Sequence, residues 1–164
     1  MAGEAVRVEP MRPEDLDAIL RVEAASFSEP WTREMFEAEL IPGISVAIVA
    51  RSDAGTLVGY LCGAMIGDEF HIDNIAVDPG MRRRGVGTTL LLAGLVEASR
   101  HGARSASLEV RASNRAAQSL YQNFGFTVHG RRRRYYTDPV EDAIIMWLHP
   151  VEAAIAPRTG GEMA

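Results

Sequence analysis

The chain contains no lysine. All 17 of its basic residues are arginine, so it has no side-chain amine for Schiff-base or pyridoxal-phosphate chemistry. A Walker phosphate loop, which needs a lysine ahead of its hydroxyl residue, is excluded with it. Cysteine is nearly absent too: Cys62 stands alone, which rules out an internal disulfide and suits a reducing compartment. No apolar stretch approaches the roughly twenty residues that span a bilayer, and Met1 to Pro10 lacks the apolar run of a signal peptide. The histidines, His71, His101, His129 and His149, are scattered without metal-ligand spacing. Together these absences predict a cytoplasmic protein with no metal and no membrane contact. A net charge of −5 argues against general polyanion binding, and no feature sets an oligomeric state.

What is there suffices for one globular domain. The 164 residues are 47% hydrophobic, enough chain to bury a core. We place that domain at residues 1–150. The segment 151–164, with Pro157, Gly160 and Gly161 and no periodicity, reads as a flexible tail.

Strand and helix signals interleave. A short strand at Val6–Glu9 precedes a helix that Pro13 opens, with an inward stripe of Leu16, Ile19, Leu20 and then Glu23 or Ala24. Thr32 caps a second helix running to Leu40. Ile44–Ala50 and Leu57–Ile66 read as strands. In the next strand, Phe70 to Val77, the apolar residues change parity between Ile72 and Ile75, which suggests either an extra residue near Asp73-Asn74-Ile75 or burial on both faces. A helix from Gly85 to Arg100 buries Val86, Leu90, Leu91, Gly94, Leu95 and Ala98. Ser105–Val110 alternates, with Ala106, Leu108 and Val110 on one face and Ser107 and Glu109 on the other. Asn114 caps a short helix carrying Ala117, Leu120, Tyr121 and Phe124, and Phe126–Tyr136 and Asp142–Leu148 form a hairpin. The pattern favours a mixed α/β sheet.

The segment Val77-Asp78-Pro79-Gly80-Met81-Arg82-Arg83-Arg84-Gly85-Val86-Gly87 carries the most chemical information. It is a strand end, a turn and a glycine-bearing helix start, where backbone N–H groups lack helical partners and can hold an anion. A dinucleotide fingerprint would need a third glycine where Leu90 stands. Phosphate binding without nucleotide hydrolysis survives, alongside a plain capped helix after a surface turn.

Arg82-x-x-Gly85-x-Gly87 after Ile75-Ala76-Val77-Asp78-Pro79 resembles the coenzyme A-binding motif of the GCN5-related N-acetyltransferases (GNAT). The runs Leu108-Glu109-Val110-Arg111-Ala112-Ser113-Asn114, Leu120-Tyr121, Phe124-Gly125-Phe126, Arg134-Tyr135-Tyr136 and Glu141–Met146 narrow it. They are similar to the RimI-like branch of ribosomal-protein-alanine N-acetyltransferases, over residues 5–149. The resemblance implies a GNAT fold, a mostly antiparallel mixed sheet whose two central strands splay apart to admit acetyl-CoA. It implies backbone N–H groups of Ile75, Ala76 and Val77 for the oxyanion, and the segment Arg82, Arg83, Arg84, Gly85, Val86, Gly87 and Thr88 for the diphosphate. Asn114 would bind the pantetheine arm or phosphate end. The implied acceptor is the N-terminus of a ribosomal protein or another peptide, held by Trp31, Arg134 and Tyr135.

Glu109 is the candidate base and Tyr121 the candidate acid. A glutamate ordinarily titrates at about 4.3, so a relayed water or a desolvated site is needed; the plainer reading is a solvated edge carboxylate. A phenol near 10 protonates a thiolate near 8.5 only uphill, by about 2 kcal/mol, so a hydrogen bond to the leaving sulfur with late proton delivery is favoured. Core packing is the alternative for Tyr121. An α-amine near 7.8 starts about 3.5 kcal/mol better placed than a lysine near 10.4, which suits one modest base. Cys62, without a neighbouring histidine, reads as a packed residue rather than an acyl carrier. Arg131–Arg134 rank first as a solvated strand edge, second as part of a peptide channel, and last as an RNA contact. Other acceptors, small amines or lysine among them, and a non-catalytic coenzyme A or RNA module stand as alternatives.

Overall fold

The computed structural model describes residues 5–43 and 45–156. Strand β1 (Val6–Pro10) leads through a 3-10 turn at Pro13–Asp15 into helix α1 (Leu16–Ser26) and helix α2 (Arg33–Ala38). Strands β2 (Ser45–Ser52), β3 (Leu57–Ile66) and β4 (Glu69–Val77) follow, then α3 (Val86–Arg100), β5 (Ser105–Arg111) and α4 (Arg115–Asn123). The hairpin of β6 (Thr127–Thr137) and β7 (Val140–Leu148) is as the sequence predicts. Ile44, the expected start of the second strand, lies outside the described residues.

The strands form one sheet in the order β1-β2-β3-β4-β5-β7-β6. β4 and β5 pair in parallel, whereas β1·β2, β2·β3, β5·β7 and β6·β7 are antiparallel. The mixed, mainly antiparallel sheet with flanking helices is the GNAT architecture expected. The chain packs as two compact units, Met1–Ala64 with Asp73–Gly94 and Met65–Ile72 with Leu95–Ala164.

In the first unit, Leu16, Ile19 and Val22 of α1, Phe36 of α2 and Val49, Leu57, Tyr60, Cys62 and Ala76 of the strands make one apolar cluster. Phe36 meets Tyr60 edge-on at 5.6 Å and Trp31 at 5.1 Å. Thr32 caps α2 by accepting from the Met35 N–H at 3.2 Å. Of the two residues the α1 stripe left open, Glu23 is buried and Ala24 is exposed. The Glu23 carboxylate accepts from the Tyr60 hydroxyl at 2.6 Å, Asn74 Nδ2 at 2.9 Å and the Trp31 N–H at 2.8 Å. This explains the parity change in β4. Burial alternates through Phe70, Ile72, Asn74 and Ala76, so the apolar switch coincides with a buried asparagine that has a partner. Gly59 of β3 is required by close approach: a Cβ there would lie 2.9 Å from the Ala76 carbonyl oxygen and from Leu90 Cδ1.

In the second unit, β5 buries Ala106, Leu108 and Val110 as its alternation predicts. β7 contributes Ala143, Ile144, Met146 and Leu148, and α4 contributes Tyr121, whose ring lies 5.8 Å from Phe126. The parallel ladder of β4 with β5 covers Glu69–His71 against Ser105–Ser107. β6 shifts register twice, between Val128 and Gly130 and between Arg132 and Tyr136. The expected loose tail is corrected over its first part. Val151 and Ala154 are buried, the Val151 N–H donates to the Arg104 carbonyl at 2.9 Å, and residues 152–156 are helical. One turn with two buried side chains is too short for periodicity to announce. Residues 157–164 lie outside the described residues.

Candidate active site

The first unit holds the glycine-bearing loop. Asp78 opens it, its side chain accepting from the Gly80 N–H at 2.9 Å, and its own N–H donating to the Val58 carbonyl at 2.8 Å. Arg82 braces the loop from within: Nε donates to the Val77 carbonyl at 3.2 Å, and a terminal nitrogen to Ser26 Oγ at 3.2 Å. Arg83 and Arg84 are exposed. Gly85 sits at φ +83° and its carbonyl accepts from the Thr89 N–H at 3.0 Å, so α3 begins at Val86. The N–H groups of Val86, Gly87 and Thr88 therefore open the helix, with no carbonyl of its own for them to reach, and the helix dipole adds positive potential there. An anion is the ligand such an end takes. Ala76 is buried while Ile75 and Val77, on the opposite parity of β4, are half-buried.

Trp31 belongs to this unit. Its N–H is held by Glu23 and its ring by Phe36, so Glu23 fixes the loop between α1 and α2 from beneath. Cys62 is buried, and its thiol is pushed well up, chiefly by burial and then by the charges of Glu39, Asp73 and Glu23. A thiol kept protonated is no acyl carrier, so it is the packed residue expected.

The second unit holds Glu109, Tyr121, Asn114, Arg134 and Tyr135. Glu109 projects from the β5 face opposite Leu108 and Val110, and its side chain is 15% exposed. Oε1 lies 3.1 Å from His71 Nε2 and Oε2 lies 3.5 Å from Arg132 Nε. Tyr121 is buried, and burial pushes its phenol further up, with Tyr136 adding to the effect. Its proton is thus harder to transfer than that of a solvated tyrosine. Tyr136 is pushed up to about 12, mainly by burial, and the Arg111 guanidinium lies 4.3 Å over its ring. Asn114 caps α4, Oδ1 accepting from the Ala117 N–H at 3.1 Å.

Arg134 lies in the second register shift of β6, at φ +51°, its N–H donating to Asp142 Oδ1 at 3.0 Å. Tyr135 is exposed and packs edge-on against Tyr136 at 5.0 Å. Among the described residues, Arg83 and Arg134 are the non-glycine positions with positive φ. Such a conformation costs about 1–3 kcal/mol and concentrates at functional segments; both fall in segments the sequence singled out. The arginine run lies on the sheet's last strand, exposed, with Arg131 reaching Asp142 at 2.8 Å. His71, Ser107 and Glu69 around Glu109, and the Glu23–Tyr60–Asn74 cluster, were missed in the sequence. Their one legible signal is polar residues at alternate positions of β4 and β5.

The fold and the comparisons with known proteins identify an acyltransferase. A family model described as the Acetyltransferase (GNAT) family matches residues 16–126, and the chain belongs to that family. Over 139 residues it is 42% identical to a Bacillus subtilis protein provisionally named ribosomal protein bS18-alanine N-acetyltransferase, covering 84% of this chain and 91% of that one. The Escherichia coli protein of the same name is 37% identical over 136 residues, 82% of this chain and 90% of its relative. The crystal structure of the ribosomal-protein-S18-alanine N-acetyltransferase from Escherichia coli superposes with a TM-score of 0.81 at 33% identity, over 89% of this chain and 94% of that one. Among the described residues no helix is long and apolar enough to cross a membrane, and no three His, Cys, Asp or Glu side chains group as metal ligands.

Proposed function

We propose that this chain transfers the acetyl group of acetyl-CoA to the N-terminal alanine of ribosomal protein bS18 in the cytoplasm. The observation that carries the reading is the likeness to bS18-alanine acetyltransferases along about nine-tenths of their length. The site chemistry supports it group by group. Amides of residues 83–88 hold the diphosphate, with Arg82 keeping the loop in shape and the Asn114 amide nitrogen meeting the pantetheine or phosphate end. Backbone N–H groups of Ile75, Ala76 and Val77 stabilise the oxyanion as it forms. Trp31, Arg134 and Tyr135 hold the acceptor peptide. Glu109 accepts the amine proton, directly or through one water. Tyr121 donates a hydrogen bond to the departing sulfur. An α-amine, ordinarily near 7.8, is partly neutral at pH 7 and needs only this modest base.

Mass spectrometry of peptides incubated with acetyl-CoA tests the reading. A peptide bearing the bS18 N-terminus is expected to gain one acetyl group at its α-nitrogen, with lysine peptides and aminoglycosides unmodified. Modification confined to small amines or lysine side chains overturns the acceptor assignment and leaves the family membership intact.

A further inference from the structure

Four side chains of the second unit form a hydrogen-bonded row that the acetyl transfer uses only at its end. The Ser107 hydroxyl donates to Glu69 Oε2 at short range. His71 Nδ1 lies 2.8 Å from the same Ser107 oxygen, and His71 Nε2 lies 3.1 Å from Glu109 Oε1. The parallel register, Glu69↔Ser105 and His71↔Ser107, puts residues 69, 71, 107 and 109 on one face of the sheet. The row is half-buried: the His71 side chain is 21% exposed.

Counting protons gives the row a direction. A serine hydroxyl carries one proton. With that proton on Glu69, Ser107 Oγ accepts from His71, so Nδ1 bears hydrogen. A neutral imidazole then has a bare lone pair at Nε2, aimed at a carboxylate oxygen that also has only lone pairs. Two acceptors 3.1 Å apart form no bond until a proton lies between them. The arrangement is a seat for one proton, beside the group proposed as base.

We propose that His71 and Glu109 act as one base, with Ser107 and Glu69 positioning the imidazole; the proposal rests on the acetyltransferase reading above. The acceptor's neutral nitrogen attacks the thioester carbonyl carbon, the C–N bond forms, and the carbonyl π pair moves to oxygen. The nitrogen's proton passes to Glu109 and is held between Glu109 Oε1 and His71 Nε2. The oxyanion pair returns, the C–S bond breaks, and sulfur leaves with its electron pair and takes a proton from solvent to become the thiol. The seated proton is released to solvent, so one proton leaves nitrogen and one reaches sulfur. Imidazole, ordinarily near 6.5, is a better match for an amine near 7.8 than a lone carboxylate near 4.3. The charged or titratable groups facing it include Glu69 from β4, Arg132 from β6, and Tyr136, whose phenol responds to the Glu109 charge.

Nitrogen-15 NMR of the full chain with labelled histidine tests the positioning without any acceptor. At high pH, His71 is expected as the Nδ1–H tautomer, and Ser107→Ala is expected to release that preference; a wild-type Nε2–H tautomer overturns the proposal. Kinetics on whichever amine the wild-type enzyme acetylates test the chemistry. His71→Gln is expected to lower kcat about 10- to 100-fold with KM for acetyl-CoA unchanged, and to move the acid limb of the kcat/KM profile, since glutamine does not titrate. His71→Gly is expected to regain rate when imidazole is added, which a purely structural role would not give. An unchanged kcat and pH profile in His71→Gln overturns the shared base. A bS18 peptide that is not acetylated bears on the acceptor assignment alone.

Discussion

Each unit of the molecule sets a glutamate among packed side chains, Glu23 buried on α1 and Glu109 half-buried on β5, and the two are surrounded in opposite ways. Glu23, 1% exposed on α1, accepts from three donors: a phenol, a carboxamide and a backbone N–H. The Tyr60 phenol is pushed up by burial and by its bond to Glu23, so it remains a donor at any physiological pH. Glu109 on β5 instead faces the His71 imidazole, which we propose turns an unprotonated Nε2 toward it at 3.1 Å, with a half-exposed arginine at 3.5 Å on its other side. A carboxylate whose partners are all fixed donors holds structure. One that faces a second acceptor has room for a proton, and that room is what a base needs.

The largest expected effect breaks the comparison at Glu109. Glu109→Gln is expected to lower kcat about 10³-fold, roughly 4 kcal/mol in the barrier, and to leave the urea midpoint nearly unchanged. Its amide nitrogen can donate to His71 Nε2, so the fold keeps its contact while the proposed base is lost. A variant that unfolds more easily but turns over normally would make Glu109 a structural residue like Glu23.

The converse is expected at Glu23. Glu23→Ala leaves the Tyr60 hydroxyl, Asn74 amide and Trp31 N–H short of an acceptor, and unsatisfied buried groups cost about 1–3 kcal/mol each. With some relaxation, we expect about 3 kcal/mol lost in urea unfolding. In the fraction that stays folded, kcat is expected to hold while KM for the peptide rises, because Trp31 loses its anchor. A fall in kcat to match Glu109→Gln would erase the distinction between the two carboxylates.

The contrast between them could not be read from the sequence, although most of the frame could. The buried stripe of α3, the alternation of β5 and the caps at Thr32 and Asn114 are local patterns with 3.6- or 2-residue periods, and each stands where expected. Glu109 and the glycine loop were singled out because their motifs are contiguous. His71 was not, because its meaning depends on β4 lying parallel beside β5, a pairing between residues 36 apart in sequence. Asn74 misled for the same reason: its partner Glu23 is 51 residues away, so a polar residue on the buried parity resembled a break in the strand. The helical turn at 152–156 was too short to show a period.

Glu39, at the end of α2, sharpens the comparison with the smallest effect, since it has neither kind of partner. Its Oε1 is buried with no hydrogen-bond partner among the described residues. Burial, and then the charge of Asp73, pushes its carboxyl up to about 7 from the ordinary 4.5. Between those values the folded chain keeps a proton that the unfolded chain has released, so stability falls as pH rises from about 4.5 to about 7 and is level above. The group is only half-buried, and solvent screens much of the Coulomb part, so the loss is about 1 kcal/mol. Glu39→Gln, which cannot ionise, is expected to stabilise the protein by about 1 kcal/mol at pH 8 and by nothing measurable at pH 4.5, in urea unfolding at both. An equal effect at the two pH values would mean that its amide gains a packing contact rather than relieving a charge. Glu23→Gln should move the other way at pH 8, because there the amide nitrogen is set among donors.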